Sequence, residues 1–274
     1  MGYSPKKDLE KFLAEDVGKG DITSALLPKK KIRVRIISRE NAIVAGTIYA
    51  KEIFAIKKCK VKIKKKDGLK VKPNDVIMEI SGNADSILSC ERTSLNLLSR
   101  MSGIATQTND LVRLIGNGKT KLFATRKTAP GLRFFDKEAV SIGGGHKHRM
   151  RLDDMIMIKD NHIEAGDSLV TLIRKARKKH KKIEVEVENQ KDALSAAKEQ
   201  ATIIMLDNFS PNQIKKTIRL LEKNNLRKKI KLEASGGISK KNIKSYARTG
   251  VDIISVGSVT NSVIGIDLSL EVIS

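Results

Sequence analysis

The sequence predicts an α/β protein whose larger part is a parallel (β/α) repeat, and two observations carry this prediction. Six short apolar segments each end in a polar or glycine-rich cluster, namely KLFATRK, MIMIKDNH, IEVEVEN, IIMLDN, KLEASGG and IISVGS. One marker residue in each cluster lies 21 to 33 residues from the next, which leaves room for the crossovers that join parallel strands; the markers are Arg126, Lys159, Glu186, Asp207, Ser235 and Gly257. Six strands are fewer than the eight of a complete (β/α)₈ barrel, so the pattern favours a barrel and leaves an open doubly wound sheet as the alternative.

The first hundred residues have a different pattern of apolar and polar residues. Residues 32–48 first alternate between apolar and polar side chains and then form an apolar run. This pattern predicts two strands on either side of residues 39–41. Residues 67–82 resemble the paired short strands of a lipoyl-type sandwich, with a turn at 73–75. An amphipathic helix is predicted from about Ala84 to Arg100.

An arginine interrupts the apolar stripe of this predicted helix. Arg92 follows Leu88 by four residues and precedes Leu95 by three, so the three side chains share one face. One explanation is a long side chain that reaches water or an intrachain carboxylate. The other is an arginine that is presented to a partner subunit, and the residues leave both open.

Composition argues against several classes of protein. The chain has 274 residues, 40% of them hydrophobic, which supports a substantial core and argues against disorder. Lys and Arg number 54 against 31 Asp and Glu, a net charge of +23, yet only 3% of residues are aromatic. We expect no nucleic-acid partner, because single-stranded nucleic acid is usually bound on aromatic platforms and the lysines are scattered.

Membrane insertion and disulfide bonding are not expected either. No apolar run approaches the ~18 residues of a membrane span, so we expect no membrane partner. The two cysteines, Cys59 and Cys90, stand alone without zinc spacing. They are typical of a reducing compartment, and we expect a cytoplasmic protein.

Several fixed cations follow the first predicted barrel strands. They occur in Thr125-Arg126-Lys127, in His148-Arg149 and at Lys159. Active sites of parallel α/β proteins lie at the carboxyl ends of the strands, so these residues are expected on one rim. Such a rim suits polyanions, since arginine pairs with carboxylates bidentately and lysine supplies a point charge to phosphates.

Carboxylates follow at the next strands. Glu184, Glu186 and Glu188 alternate with aliphatic residues and share one face, which a barrel strand would turn inward. Inward charge costs several kcal/mol unless it is paired or holds a metal. Asp207 ends the adjacent strand, and the two carboxylates together could hold ribose hydroxyls or Mg²⁺. A half-exposed antiparallel strand would also explain the alternation.

The last two predicted strands end in Ser235-Gly236-Gly237 and in Gly257-Ser258. Glycine-rich strand ends at this place in a barrel form phosphate cradles from backbone N–H groups, although tight turns use glycine too. From the residues alone, the chain is therefore predicted to be an α/β barrel enzyme with a cationic rim, inward carboxylates and a phosphate cradle. A phosphorylated sugar that reacts with an acidic small molecule fits such a site, and the residues alone do not specify the reaction.

At these residues the sequence resembles the quinolinate phosphoribosyltransferase family, and the match covers nearly the whole chain. The matching motifs, in order, are EDVGKGDIT (15–23), ERTSLNLLSRMSGIAT (91–106), TRKTAPGLR (125–133), GGGHKHRMRLDDMIMIKDNH (143–162), EVEVE (184–188), IIMLDN (203–208), EASGGI (233–238) and ISVGS (254–258).

The resemblance implies an N-terminal α/β sandwich domain beside an incomplete, seven-stranded (β/α) barrel. On this chain the sandwich domain would cover residues 1–105 and the barrel 106–264, with a tail at about 265–274 that can return to the first domain. Family members form homodimers or higher homo-oligomers with shared active sites, so the same is expected here.

The resemblance also implies a pentosyltransferase. Its reaction joins quinolinate to 5-phosphoribosyl-1-pyrophosphate (PRPP) and gives nicotinate mononucleotide, pyrophosphate and CO₂ in NAD biosynthesis, with Mg²⁺ as cofactor. Three alternatives remain: a related pyrophosphorylase-like protein of molybdate transport, a nicotinate phosphoribosyltransferase, and a basic RNA-binding protein on the same barrel. The intact TRKTAPGLR and IKDNH segments favour the quinolinate enzyme.

Residue roles follow from the same resemblance. The substrate-binding residues implied are Arg92 from the neighbouring subunit, Thr125, Arg126, Lys127, His148, Arg149, Lys159, Glu186, Asp207, Ser235, Gly236, Gly237, Gly257 and Ser258. Within this set Arg126, His148 and Arg149 would hold the quinolinate carboxylates. The implied catalytic residues are Lys127, Lys159, Glu186 and Asp207, of which the last two would also bind Mg²⁺.

Overall fold

The structure, a computed structural model, describes residues 4–273, which form two compact units. The first unit takes the described residues up to Asn109, Thr128–Gly144 and those from Val259 onward. The second unit takes Asp110–Lys127 and Gly145–Ser258. The chain thus passes between the units four times, and the predicted division at residue 105 stays a prediction.

The described residues form the following α-helices and strands. The helices are α1 Pro5–Val17, α2 Thr47–Ile56, α3 Ala84–Ile115, α4 Arg133–Ile142, α5 Asp160–Glu164, α6 Leu169–Lys179, α7 Gln190–Lys198, α8 Pro211–Lys223, α9 Ile243–Ala247 and α10 Ser258–Asn261. The strands are β1 Lys31–Ser38, β2 Ala42–Ile43, β3 Lys60–Ile63, β4 Lys70–Val71, β5 Val76–Asn83, β6 Lys121–Phe123, β7 Ile156–Ile158, β8 Ile183–Val187, β9 Ile203–Asp207, β10 Lys231–Ser235, β11 Ile253–Ser255 and β12 Leu268–Val272. Within residues 4–273, no helix has the length and apolar character that crossing a bilayer requires.

The first unit is built on an antiparallel sheet in the order β12-β1-β5-β3. Strand β1 alternates exposed cations with buried Ile32, Val34 and Ile36, so one face of the sheet is apolar and the other meets water. The C-terminal strand β12 pairs with β1.

Two expectations for this unit are wrong. The strands of 67–82 form, but β4 pairs with β2 while β5 pairs with β1 and β3, so they make no hairpin with each other. The apolar run after residue 41 is a strand only in β2, because α2 begins at Thr47, whose N–H and hydroxyl both donate to Asp67 (2.9 and 2.7 Å).

Helix α3 extends fifteen residues beyond its predicted end at Arg100. It passes through Gly103, where a Cβ would lie 2.0 Å from the carbonyl oxygen of Ile264, so close backbone packing explains a glycine inside the helix. Arg100 itself makes a bidentate ion pair with the fully buried Asp136 (2.8 and 2.9 Å).

The second unit contains a six-stranded parallel sheet in the order β6-β11-β10-β9-β8-β7. Strands β7 to β11 each neighbour their successor in sequence, and the first strand, β6, pairs with the last, β11. In a barrel, successive strands of the chain are neighbours around the barrel, as they are here. In a doubly wound sheet, the strand order reverses direction at a switch point. His146 adds a parallel bridge on the other side of Phe123, which supplies the beginning of a seventh position. The prediction of an incomplete barrel is confirmed.

Local sequence explains why the helices of this unit start where they do. Ser168 and Ser210 cap α6 and α8 by accepting the backbone N–H of the third helical residue, and Asn189 caps α7 in the same way. Asn189 lies two residues after the end of β8 and Ser210 three residues after the end of β9, so these two connections from strand to helix are short.

Candidate active site

A cavity of about 290 Å³ lies at the carboxyl ends of the parallel strands of the second unit. Nine residues of the predicted site line it, from strands β8 to β10, from the segments directly after β6 and β7, and from the segment between α4 and β7: Thr125, Arg126, Lys127, His148, Arg149, Lys159, Glu186, Asp207 and Ser235. The remaining lining residues are Ala124, Met157, Met205, Glu233 and Ser255.

The other predicted residues lie elsewhere. Gly236 and Gly237 directly follow β10, while Gly257 and Ser258 follow β11, and none of the four lines the cavity. Arg92 belongs to the first unit and is exposed on α3.

The lining residues that sequence reasoning missed follow one rule. Met157, Met205 and Glu233 each stand two positions before a predicted site residue on the same strand, at Lys159, Asp207 and Ser235. Side chains two apart on a strand point to the same face, so the strand period was the signal that could have found them.

The cationic part of the cavity contains two arginines that repel each other. The Arg149 guanidinium donates from Nη1 to the carbonyl oxygen of Met155 (3.3 Å) and from Nη2 to Sδ of Met157 (3.2 Å). Burial and then the positive charge of Arg126 lower the pKa of Arg149, against opposing carboxylates. An anion between the two guanidinium groups would relieve this repulsion, so the site favours anionic ligands.

Carboxylates on two neighbouring strands form another part of the lining. Glu186 on β8 pairs through Oε2 with Nζ of Lys159, and its side chain is only 14% exposed. Asp207 ends β9, and its Oδ2 accepts a hydrogen bond from Nδ2 of Asn208 (2.7 Å). Hard oxygen donors of this kind suit sugar hydroxyls or a divalent cation.

Beneath the cations lies a buried group of ionisable side chains. Nε2 of His148 is 3.1 Å from Oε2 of Glu184 and 3.6 Å from Oε2 of Glu233, and both glutamates are fully buried. Burial by itself lowers the pKa of His148, but the two carboxylates outweigh it and raise the pKa to about 9. Desolvation raises the pKa of Glu184 in turn. The inward direction predicted for the glutamates of β8 holds for Glu184 and Glu186, whereas Glu188 is exposed beyond the strand end.

The loops after β9 and β10 touch at a glycine. Gly236 has φ +90°, and a Cβ there would lie 2.1 Å from Oδ1 of Asn208. The N–H of Asn208 donates to the carbonyl oxygen of Ser235 (2.9 Å). Both the backbone angle and the space therefore require glycine at this position.

A parallel barrel that gathers cations and carboxylates in one cavity at the carboxyl ends of its strands defines an enzyme for anionic small molecules. The sequence profile of the quinolinate phosphoribosyl transferase C-terminal domain matches residues 104–271, and that of the N-terminal domain matches residues 21–102. The chain belongs to the quinolinate phosphoribosyl transferase family. The resemblance found in the sequence is thereby confirmed, together with the predicted class of enzyme, a pentosyltransferase.

Relatives and solved structures agree over nearly the full length. The chain is 43% identical over 256 residues to a probable nicotinate-nucleotide pyrophosphorylase (carboxylating) of Archaeoglobus fulgidus, which covers 93% of this chain and 98% of the relative. It is 41% identical to the protein of the same printed name from Bacillus subtilis, over 97% of this chain and 93% of the relative. The nicotinate-nucleotide pyrophosphorylase structure from Francisella tularensis superposes with a TM-score of 0.92 at 40% identity, covering 98% of each chain.

Proposed function

We propose that this chain transfers the phosphoribosyl group of PRPP to quinolinate, with decarboxylation, and releases nicotinate mononucleotide, pyrophosphate and CO₂. This is the reaction of de novo NAD biosynthesis that the sequence resemblance implied. One observation carries the proposal: a single cavity is lined both by cations, among them Arg126 and Arg149 (the cationic side), and by carboxylates, Glu186 and Asp207 (the acidic side). A dicarboxylate suits the first side and a ribose suits the second.

The cationic side would bind quinolinate. Two guanidinium groups at close range match the two adjacent carboxylates of the pyridine ring, and Lys127 adds a third positive charge to the same lining. Met157 and Met205 offer apolar, polarisable surface to the ring. Nicotinate has a single carboxylate and would leave part of the repulsion between the arginines uncompensated, so it is the poorer substrate.

The acidic side would bind PRPP. Glu186 and Asp207 would accept hydrogen bonds from the ribose hydroxyls, and Ser235 would begin a cradle for the 5′-phosphate at the glycine-rich end of β10. Gly236, Gly237, Gly257 and Ser258 would complete this cradle with backbone N–H groups. Lys159, which pairs with Glu186, would exchange that partner for the pyrophosphate.

Mg²⁺ fits this donor set. The two carboxylates are hard oxygen ligands on neighbouring strands, and the pyrophosphate of PRPP would supply further oxygens. Glu186 and Asp207 are the residues that would hold the ion. When bound, the ion supplies positive charge that stabilises the leaving pyrophosphate.

The chain's own residues suit a dissociative substitution. As the bond from C1 of the ribose to pyrophosphate breaks, positive charge develops on the ribose, and the carboxylates of Glu186 and Asp207 stabilise it. Lys159 and Lys127 stabilise the opposite charge on the departing pyrophosphate. The quinolinate nitrogen then bonds to C1. The resulting pyridinium accepts the electron pair left when the adjacent carboxylate departs as CO₂, and that ring carbon takes up a proton.

We further propose that the enzyme is a cytoplasmic homodimer or a higher homo-oligomer whose sites are shared. Arg92 supports the shared site because it is an exposed arginine within an otherwise apolar helical stripe. It would enter the active site of the neighbouring subunit and add a positive charge for quinolinate. The buried, unpaired thiols of Cys59 and Cys90 support a reducing compartment.

The test is a product assay with PRPP, Mg²⁺ and either quinolinate or nicotinate. We expect stoichiometric CO₂ and nicotinate mononucleotide from quinolinate, little product from nicotinate, and loss of turnover on chelation of the metal. Arg126→Met should lower quinolinate turnover strongly, whereas Arg219→Met, at an exposed position on α8, should not. Absence of product from quinolinate with the wild-type protein would refute the proposal.

A further inference from the structure

The proposed function leaves two buried carboxylates unexplained. Glu184 and Glu233 have no exposed surface, and both carboxylate oxygens of Glu184 as well as Oε2 of Glu233 lack an aligned hydrogen-bond donor. A buried carboxylate without full compensation costs several kcal/mol, so its presence under an anion-binding cavity needs a reason. The roles proposed above for binding PRPP and Mg²⁺ use neither side chain, although Glu233 lines the cavity.

Both carboxylates face the same atom, Nε2 of His148. This atom is buried, so a ligand in the cavity does not reach it. The other ring nitrogen, Nδ1, accepts the backbone N–H of Arg149 (2.8 Å). That His148 holds a substrate carboxylate, as the resemblance implied, stays a prediction; in the structure Nδ1 is hydrogen-bonded to the backbone and Nε2 faces the two buried carboxylates.

The backbone and neighbours fix this arrangement. His148 adopts φ +55°, a left-handed conformation that is uncommon for a residue with a Cβ and is kept where surrounding contacts determine it. The ring edge packs against Phe123 with centroids 6.0 Å apart. The hydroxyl of Ser255 donates to Oε1 of Glu233 (2.5 Å), so the carboxylate beside the ring is itself held in place.

A metal ion is the competing explanation for this group. The ligand atoms of His148, Glu184 and Glu233 lie within 4.8 Å of one another, which is close enough to surround a cation. However, Nδ1 accepts a hydrogen bond, so the proton of the neutral ring is on Nε2, and the imidazolium carries a proton there as well. Nε2 therefore has no lone pair for a metal, and the carboxylates face an N–H donor.

We infer that Glu184 and Glu233 are positioning residues that act through His148 to place Arg149 for the carboxylates of the aromatic substrate. The inference rests on the proposed function, because it assigns the cationic side of the cavity to that substrate. The contacts run from the carboxylates to Nε2, through the ring to Nδ1, and from Nδ1 to the backbone of Arg149. The Arg149 guanidinium is then held by Met155 and Met157. Without the carboxylates the ring can turn and release the Arg149 backbone.

The experiment compares Glu184→Gln, Glu233→Gln and Ser255→Ala with Glu188→Gln, an exposed glutamate just beyond the same strand as Glu184. Quinolinate affinity is measured by calorimetry and by KM. We expect the first two variants to weaken quinolinate about 10- to 100-fold, the range of a lost charge-assisted contact, and to leave the KM for PRPP within about twofold. Ser255→Ala, which keeps both charges, should give a smaller loss of the same kind. Glu188→Gln should match the wild type.

Coupling to His148 separates positioning from general destabilisation. Because the carboxylates act through the ring, adding Glu184→Gln to His148→Ala should weaken quinolinate no further than His148→Ala alone. The inference would be overturned if the affinity losses of Glu184→Gln and His148→Ala multiply in the double variant. It would also be overturned by an equal rise in the KM for quinolinate and the KM for PRPP, or by unchanged quinolinate affinity in folded Gln variants. Stoichiometric metal that binds the wild type and is lost in Glu184→Gln would also overturn it.

The experiments distinguish a failure of the proposed function from a failure of this inference. If the proposed function is wrong, the wild-type protein gives no product from quinolinate. Calorimetry still tests the inference in that case, because it needs no turnover. If circular dichroism shows that a Gln variant does not fold, Ser255→Ala provides the same comparison. A loss of affinity for quinolinate but not for PRPP would support the inference, and an unchanged quinolinate affinity would overturn it.

Discussion

The raised pKa of His148 predicts a pH-dependent contribution to stability. The carboxylates of Glu184 and Glu233 raise this pKa from 6.5 to about 9, although burial acts in the opposite direction. A group whose pKa is higher in the folded state binds its proton more tightly there. Its stabilisation is therefore fully present below about pH 6.5 and is lost as the pH rises through about 9.

The size of the effect follows from the shift and from the hydrogen bond at Nδ1. A rise from 6.5 to about 9 corresponds to at most roughly 3 kcal/mol in the free energy of unfolding, at about 1.36 kcal/mol per pKa unit. The second proton on the ring would face the N–H of Arg149, which opposes the imidazolium. We therefore expect about 1 to 3 kcal/mol rather than the full value.

The assay is urea unfolding of the wild type and of His148→Asn between pH 6 and pH 10, followed by circular dichroism. The difference in unfolding free energy should fall by about 1 to 3 kcal/mol between about pH 6.5 and pH 10, a range that ends just above the folded-state pKa of His148. His180→Asn, at an exposed histidine that ends α6, serves as the control and should show no such fall. A difference that is flat or that grows with pH would refute the electrostatic reasoning.

Three further outcomes are expected. Gly236→Ala should raise the KM for PRPP at least about tenfold, because its φ is +90° and Asn208 occupies the space of a Cβ, whereas Gly118→Ala, with open space around it, should be neutral. Asp136→Asn should lower the free energy of unfolding by about 2 to 4 kcal/mol in melting experiments, because it breaks the bidentate pair with Arg100 at a fully buried carboxylate. Arg92→Ala should be inactive alone yet regain activity when mixed with the inactive Glu186→Gln. Failure of that mixture despite proven subunit exchange would contradict the shared site.

Local patterns in the sequence predicted the strands of the parallel sheet well. All six predicted segments contain a strand, because alternation, apolar runs and polar ends are properties of each segment by itself. Strand partners are properties of the whole chain, and here prediction failed. The turn at residues 73–75 suggested that β4 and β5 pair with each other, whereas each pairs with strands from residues 31–63.

The same limit applies to the candidate site. Residues at strand ends were found because a polar residue after an apolar run stands out in the sequence. Glu233 lies inside β10 and Ser255 is the last residue of β11, and only their three-dimensional neighbours reveal that Ser255 donates a hydrogen bond to Glu233 and that Glu233 faces His148. The strand period of two could have found them, but the contacts to His148 could not be read from spacing.

The net charge of +23 divides into parts with different physical roles. Arg126, Lys127, Arg149 and Lys159 line the cavity. Other cations have a structural explanation, since the last turn of α6 contains Arg177, Lys178 and Lys179, where positive charge offsets the partial negative charge of a helix C-terminus. A third group lies on the exposed face of β1, away from the cavity lining, where Arg35 pairs with Glu271 (2.9 Å).

That third group is where the excess charge can affect the reaction without touching it. PRPP and quinolinate together carry many negative charges, and a positive field accelerates the approach of such substrates. The effect of these surface cations is screened over about 10 Å at 0.1 M salt, whereas the cavity cations act at contact distance. Added salt should therefore lower the second-order rate constant for substrate capture more than kcat. Replacing surface lysines by glutamine should reduce that salt dependence, while replacing cavity cations should reduce activity at every salt concentration.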